Sequence, residues 1–373
     1  MSTLHPSLER ADGLIDLKRY NEAEALLSRR LAEEPNDIRA WAKLARCLLG
    51  TEQGQKALEA TDEALKLDAE DLGALIMRSH ALRAISGRTM EAEGVLREVV
   101  RLAPDYGHGY ALLADIVWRR SLVRHGQANG GQIKAHEMSG LLEEAADLVK
   151  EALRLSPEDI DGYEIAWQIA DLAGNRTVAD QLDNAILQLD HNHPHALARQ
   201  TEKAASAPGV KAVQAATLYA DALTAVPEQT SLHRSLDHAS YRLLRGIRWL
   251  ALLCLALAAA MLDLVVTEGE VPRELPVPLG QRLWVLVPMT AIWLLGALLR
   301  YRRLRTGTQI NLHSVIRRRR WPRIVLAQAG WAMLCALLIA QVPWAERPMP
   351  QVLFCVGLLP TAATIWFDRK KQS

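Results

Sequence analysis

The chain changes solvent partway along. Up to about residue 233 it is charged, alanine-rich and patterned for helices. Beyond that come four long apolar stretches separated by arginine-rich or proline-rich connectors. Charge divides at the same place: residues 1–233 hold 25 Lys+Arg and 36 Asp+Glu, net −11, and residues 234–373 hold 19 and 7, net +12. The near-neutral total of +1 hides an acidic water-facing part joined to a basic membrane part. A helix needs roughly 17–25 apolar residues to cross a bilayer, because lipid offers no partner to an unpaired backbone group. Four segments reach that length, near 247–266, 283–299, 324–345 and 349–367. The pattern predicts an all-α chain with a soluble domain over 1–233, a helical connector over 234–246 and a membrane domain over 247–373.

Cytoplasmic connectors carry an excess of Lys and Arg, which orients the spans. Arg234, Arg242, Arg245 and Arg248 precede the first span. Nine arginines, from Arg300 to Arg323, lie between the second and third, and Arg369, Lys370 and Lys371 follow the fourth. The opposite connectors hold only Arg273, Arg282 and Arg347. Both termini and the soluble domain are therefore expected in the cytoplasm. Met1–Leu14 has no apolar core after a basic stretch, so no secretory signal is expected. The Ala/Arg/Leu-rich composition suggests a GC-rich bacterium, hence the plasma (inner) membrane. Arg317, Arg318, Arg319 and Arg320 form a basic run beside the bilayer, where cations attract anionic lipid. No aromatic residues are interleaved with them in the way nucleic-acid binding would need.

The soluble part repeats at about 34 residues. One unit runs through Leu14, Tyr20, Ala23, Leu27 and Pro35, and the next through Trp41, Leu44, Ala45, Leu48, Gly54, Ala57 and Ala64. A third has Leu75, Leu82, Gly87, Ala92, Leu96, Val99 and Pro104. A fourth starts at Tyr110, is interrupted near 121–140, and resumes with Ala145, Val149, Ala152 and Pro157. A fifth has Tyr163, Trp167, Ala170, Gly174, Ala179 and Ile186, and a weaker sixth has Ala215, Tyr219, Ala222 and Pro227. Small residues let two helices cross, large ones fill the groove, Gly turns the hairpin and Pro stops the second helix.

This pattern resembles the tetratricopeptide repeat (TPR) over roughly residues 5–228. The resemblance implies helical hairpins stacked into a superhelix, because one hairpin cannot bury its apolar face alone. It also implies a concave groove lined by the first helix of each repeat, where protein or peptide partners bind. By register the groove holds Arg39, Arg46, His80, Arg83, His108, Asp115, Trp118, Glu164 and Gln168. The first four are expected to form a basic patch suited to carboxylates. The Lys/Asn/Arg carboxylate clamp of chaperone-binding members is not expected, since Leu8 and Asp12 occupy the corresponding places. Glu202 and Lys203 make the first helix of the sixth repeat polar, as in a terminal cap. The interruption near 121–140 predicts a mobile loop or longer helices with a flexible tip, and it could carry a partner-specific contact.

Other polar features invite chemistry and are read more simply. Asp263 is the one carboxylate in a span and lies near its end, within reach of headgroups. Gln328 and Gln341 are expected to join spans by hydrogen bonds. His191, His193 and His195 alternate as a metal site can, but fall at an inter-repeat turn. No metal site, cofactor or enzymatic activity is expected, because no phosphate loop, nucleophile elbow or HExxH occurs. The expected function is a membrane-anchored scaffold that recruits a protein or peptide to the inner face of the membrane. The alternative is a regulatory or structural subunit of a membrane transport or secretion complex.

Overall fold

The computed structural model describes residues 5–128, 135–264, 275–302, 306–318 and 320–370, and no strand occurs among them. Two compact units divide the chain, Met1–His191 and Asn192–Ser373. The composition change at residue 233 lies inside a helix of the second.

The first unit is five helical hairpins: α1 (Pro6–Asp16) with α2 (Tyr20–Glu33), α3 (Ile38–Gly50) with α4 (Gly54–Leu67), α5 (Leu72–Ala84) with α6 (Thr89–Leu102), α7 (Gly107–Ala128) with α8 (Ala135–Leu155), and α9 (Ile160–Leu172) with α10 (Arg176–Leu189). Each pair coincides with one repeat read from the sequence. Side chains start the first helices: Asp37, Asp71 and Asp159 cap α3, α5 and α9 by accepting the N–H groups of Ala40, Ala74 and Asp161. Alanines form the crossing points, with Ala23, Ala40, Ala57, Ala64, Ala92 and Ala111 fully buried. The approach is close elsewhere as well. A Cβ on Gly107 at the start of α7 would lie 2.7 Å from the Ala152 carbonyl oxygen of α8.

Hairpin turns need one residue of positive φ. Gly87 and Gly174 supply it at 85° and 72°, whereas Lys18 and Glu52 hold 58° and 62° with a side chain attached. A left-handed conformation costs a non-glycine residue roughly 1–2 kcal/mol. Glu52→Gly is therefore expected to stabilise the unit by about 1 kcal/mol in denaturant unfolding, in contrast to glycine substitutions at ordinary helical positions.

The interruption near 121–140 lengthens a hairpin rather than forming a separate loop. Helices α7 and α8 run 22 and 21 residues, against 11 to 14 in the other four hairpins. Residues 129–134, where any tip would fall, lie outside the described residues. A charged network ties this long hairpin to α6. Glu93, only 4 % exposed, accepts from Arg97 Nη2 at 2.9 Å and Arg120 Nη1 at 2.7 Å. Both arginines also reach Glu144 of α8, at 2.7 and 3.3 Å.

The second unit begins with the sixth hairpin, α11 (Pro194–Ser206) and α12 (Ala212–Ala225). Glu202 and Lys203 of α11 are exposed, while α12 is covered by the next helix. Leu232, Leu236 and Ala239 of α13 (Thr230–Met261) pack on Ala215, Ala216, Tyr219 and Ala222 of α12. Polar Glu202 of α11 serves as acceptor for the Tyr219 hydroxyl, 2.8 Å away. Beyond α13 come α14 (Leu279–Trp293), one π-helical turn (Leu294–Leu298), α15 (Leu299–Arg302), α16 (Thr306–Arg318), α17 (Arg320–Gln341) and α18 (Pro348–Lys370). Four helices are long and apolar enough to cross a membrane: Thr230–Met261, Leu279–Gly296, Arg320–Gln341 and Pro348–Phe367. The four expected spans fall within or overlap these.

Small residues let α13 and α17 approach closely. Ala251, Cys254, Leu255 and Ala258 face Ala329, Ala332, Cys335, Ala336 and Ile339, all buried. Toward the far ends of these helices, side chains bind backbone carbonyls of neighbouring helices. Arg282 Nη1 donates to the Gln341 carbonyl at 2.8 Å, Gln341 Nε2 returns a bond to the Arg282 carbonyl at 3.0 Å, and Gln351 Nε2 donates to Leu264 at 3.2 Å. The expected interhelical role thus holds for Gln341. It does not hold for Gln328, whose buried amide oxygen and nitrogen have no protein partner. Its companions Ala329 and Ala332 pack on Ile247 and Ala251, which offer neither donor nor acceptor. Asp263 lies past the end of α13, in a turn with φ 45°.

Candidate partner-binding groove

The residues that sequence register assigns to a groove lie on α3, α5, α7 and α9, the first helices of repeats two to five. Their centre is Asp115 of α7, which is 6 % exposed. Three donors converge on it. Arg83 Nη2 of α5 reaches Oδ2 at 2.6 Å, Arg119 Nε reaches Oδ1 at 2.8 Å, and Trp118 Nε1 reaches Oδ1 at 3.1 Å. The Arg119 guanidinium also stacks 4.4 Å over the Trp118 ring, a cation–π contact. One of its terminal nitrogens lies 3.5 Å from Gln168 Oε1 on α9. Two guanidiniums on one carboxylate leave a local excess of one positive charge. Each retains N–H groups that the carboxylate does not use, in the planar fork that binds carboxylate or phosphate bidentately.

The four cations read as one basic patch separate into distinct roles. Arg39 is exposed and, among the described residues, has no ion pair. Arg46 is loosely paired, 3.7 Å from Asp16 with both side chains exposed. His80 carries no charge at neutral pH: burial, reinforced by Arg83 and His108, pushes its pKa down to about 4. Arg83 is committed to Asp115. At the first repeat, Leu8 is buried and Asp12 pairs with Lys43. Sequence register singled out Asp115 and Trp118 but not Arg119, which donates to the same carboxylate. The i, i+4 spacing of Asp115 and Arg119 was the available signal.

His108 and Asp159 make a second link, between α7 and α9. His108 Nδ1 lies 2.9 Å from Asp159 Oδ2. The Asp159 contact raises the His108 pKa against the opposing effect of burial. For Asp159 burial is the largest influence and acts upward, yet the His108 contact and the N–H groups of Gly162 and Asp161 hold the carboxyl below its usual value. A raised histidine contributes stability that is full below its unfolded pKa of about 6.5 and is lost as pH rises through the folded value. A depressed aspartate contributes stability that is full above its unfolded pKa of about 3.9 and is lost as pH falls through the folded value. The stability difference between the natural chain and His108→Gln is therefore expected to peak between about pH 4 and 6.5 and shrink on either side. Unfolding of both proteins across that range checks this.

His108, Asp159 and Asp161 are also the one described group of His, Cys, Asp or Glu whose atoms come close enough to share an ion. The link just described accounts for the first two, and Asp159 in addition caps α9. The histidine run makes no such group among the described residues. His193 caps α11, accepting the Ala196 N–H at 3.5 Å. Its ring lies 6.1 Å from that of His195. In the second unit, Arg317, Arg318 and Arg320 are exposed at the junction of α16 and α17. Arg319 lies outside the described residues.

Residues 11–121 match the family model described as the cilia and flagella-associated protein 70 middle TPR-like domain. No curated protein matches the chain. Among solved structures, the chain is similar to PilW, described as a widely conserved type IV pilus biogenesis factor. The identity is 18 %, over 62 % of this chain and 96 % of that one, with a TM-score of 0.46. It is also similar to YrrB, described as a TPR protein with an unusual peptide-binding site, at 16 % identity over 55 % and 95 % with a TM-score of 0.33. A third is a thermophilic TPR protein of Thermus thermophilus, at 22 % identity over 62 % and 96 % with a TM-score of 0.32.

Proposed function

We propose that this TPR-like protein is a non-enzymatic scaffold anchored in the plasma (inner) membrane, with both termini cytoplasmic, which holds a protein or extended peptide at the inner face. The observation that carries the reading is the Asp115 centre. A buried carboxylate fixes Arg83, Arg119 and Trp118 on neighbouring first helices, ready for an acidic side chain or a terminal carboxylate. A pre-positioned guanidinium loses little freedom on binding, so more of its interaction appears as affinity. The apolar helices support anchoring, and the arginine bias of the connectors supports the orientation. Anchoring raises the local concentration of whatever the groove holds.

The test is affinity capture of the full chain from membranes of its own cells, compared with Arg83→Gln/Arg119→Gln. Partners retained by the natural chain and lost from the double variant support the reading. An identical partner set at equal yield sinks it. A second reading, a regulatory or structural subunit of a transport or secretion complex, draws on the direct passage of α13 from the sixth hairpin into an apolar span. It predicts that captured partners are themselves membrane proteins and that they survive the double substitution.

A further inference from the structure

Arginines are used differently in the two units. In the first, several surface arginines, though not Arg39, find carboxylates one helical turn away: Arg19 with Glu22 at 2.6 Å, Arg88 with Glu91 at 2.5 Å, Arg101 with Glu98 at 2.5 Å and Arg154 with Glu151 at 2.6 Å. In the second, Arg242, Arg317, Arg318 and Arg320 are exposed, and no ion pair involves them among the described residues. Arg242 precedes the apolar stretch of α13, Arg317 and Arg318 end α16, and Arg320 opens α17.

Their placement is built. Helix α16 docks on the stretch of α13 that precedes its apolar part. Leu312 and Ile316 pack with Leu244, Ile247 and Val213, and Asn311 Nδ2 donates to Ser240 Oγ at 3.1 Å. At the elbow between α16 and α17, Arg323 turns back and caps α16. Its Nε donates to the Ile316 carbonyl at 2.7 Å, and Nη2 donates to the Arg317 carbonyl. Arg317 and Arg318 at the end of α16 and Arg320 at the start of α17 are left exposed. Trp249 stands on the same stripe of α13 as Arg242, seven residues on, and is 67 % exposed. Aromatic side chains of this kind settle at the level of the headgroups.

We propose that the α16–α17 elbow is a docking site for anionic phospholipid headgroups. Arg317, Arg318 and Arg320 bind the phosphodiester, and Arg323 is a positioning residue that holds the corner. The proposal rests on the membrane-anchoring part of the proposed function. It adds a lipid preference, which anchoring by apolar helices does not require.

The test uses the full chain in nanodiscs of phosphatidylcholine doped with phosphatidylglycerol, with bound lipid counted by native mass spectrometry. The natural chain is expected to enrich phosphatidylglycerol, and Arg317→Gln/Arg318→Gln/Arg320→Gln to lose about tenfold of that enrichment. The corresponding Arg→Lys triple variant should keep most of it. Arg323→Gln should reduce enrichment although all three binding cations remain, an effect a purely stabilising residue would not have if α16 stays protected from hydrogen exchange. Unchanged enrichment in the glutamine triple variant overturns the proposal. So does displacement of the lipid by millimolar inorganic phosphate, which would mark a free-anion site, or preferential binding of an oligonucleotide at physiological salt. A natural chain that washes out of bilayers in alkaline carbonate would sink the anchoring reading. A chain that stays in the bilayer without lipid preference sinks only this one.

Discussion

Glu93→Ala is expected to destabilise the first unit by about 3–5 kcal/mol, the loss that follows when one partner of a buried ion pair is removed. Glu93 is nearly inaccessible and accepts from both Arg97 and Arg120, while the Arg120 Nε is already without a protein partner. Without the carboxylate, Arg120 stays largely buried with only the longer contact to Glu144. The effect should appear as a lower unfolding midpoint of the full chain in detergent. Faster hydrogen exchange should be confined to α6, α7 and α8. Glu93→Gln keeps an acceptor and the shape, and should fall between the two. A loss below about 1 kcal/mol would place the network in the class of surface ion pairs.

Asp115→Ala should be milder for stability and more damaging to partner capture. Arg83 and Arg119 reach water more readily than Arg120 does, so the expected stability loss is about 2 kcal/mol. The geometry suffers more. Two guanidiniums and an indole lose their common acceptor, and the two cations repel one another. Capture of the partner is expected to fall at least tenfold, equivalent to about 1.4 kcal/mol. The Glu93 variant, assayed in the cold where it stays folded, should still capture it. Equal capture by the Asp115→Ala and natural proteins would remove the groove from consideration.

The hairpins were legible because their code is local. Tyr20 and Ala23 repeat 34 residues on as Gly54 and Ala57, and Asp37 and Asp71, the same distance apart, open first helices. The spans were legible because length and apolarity suffice. Other features depend on contacts far apart in sequence. Glu93 and Arg120 are 27 residues apart, and each alone reads as a solvated surface charge. His80 looks ordinary in sequence; its neutral state comes from burial and from the charge on Arg83. Helix α16 offers few apolar residues to a periodicity search, and Leu312 and Ile316 become an anchoring face only once α13 lies beneath them. The packing of α13 on α12 of the sixth hairpin is likewise invisible until both helices are in place.

Helix α13 has 32 residues without a break, a rod about 48 Å long at 1.5 Å per residue. Its early turns seat the hairpin α11–α12 and its later turns seat α17, so both neighbours are locked to one helical phase. One residue inserted between these seats would rotate one against the other by about 100°, and four would bring the angle back to within about 40°. A twist or tilt applied to the sixth hairpin is consequently delivered to the apolar bundle as rotation of a stiff shaft.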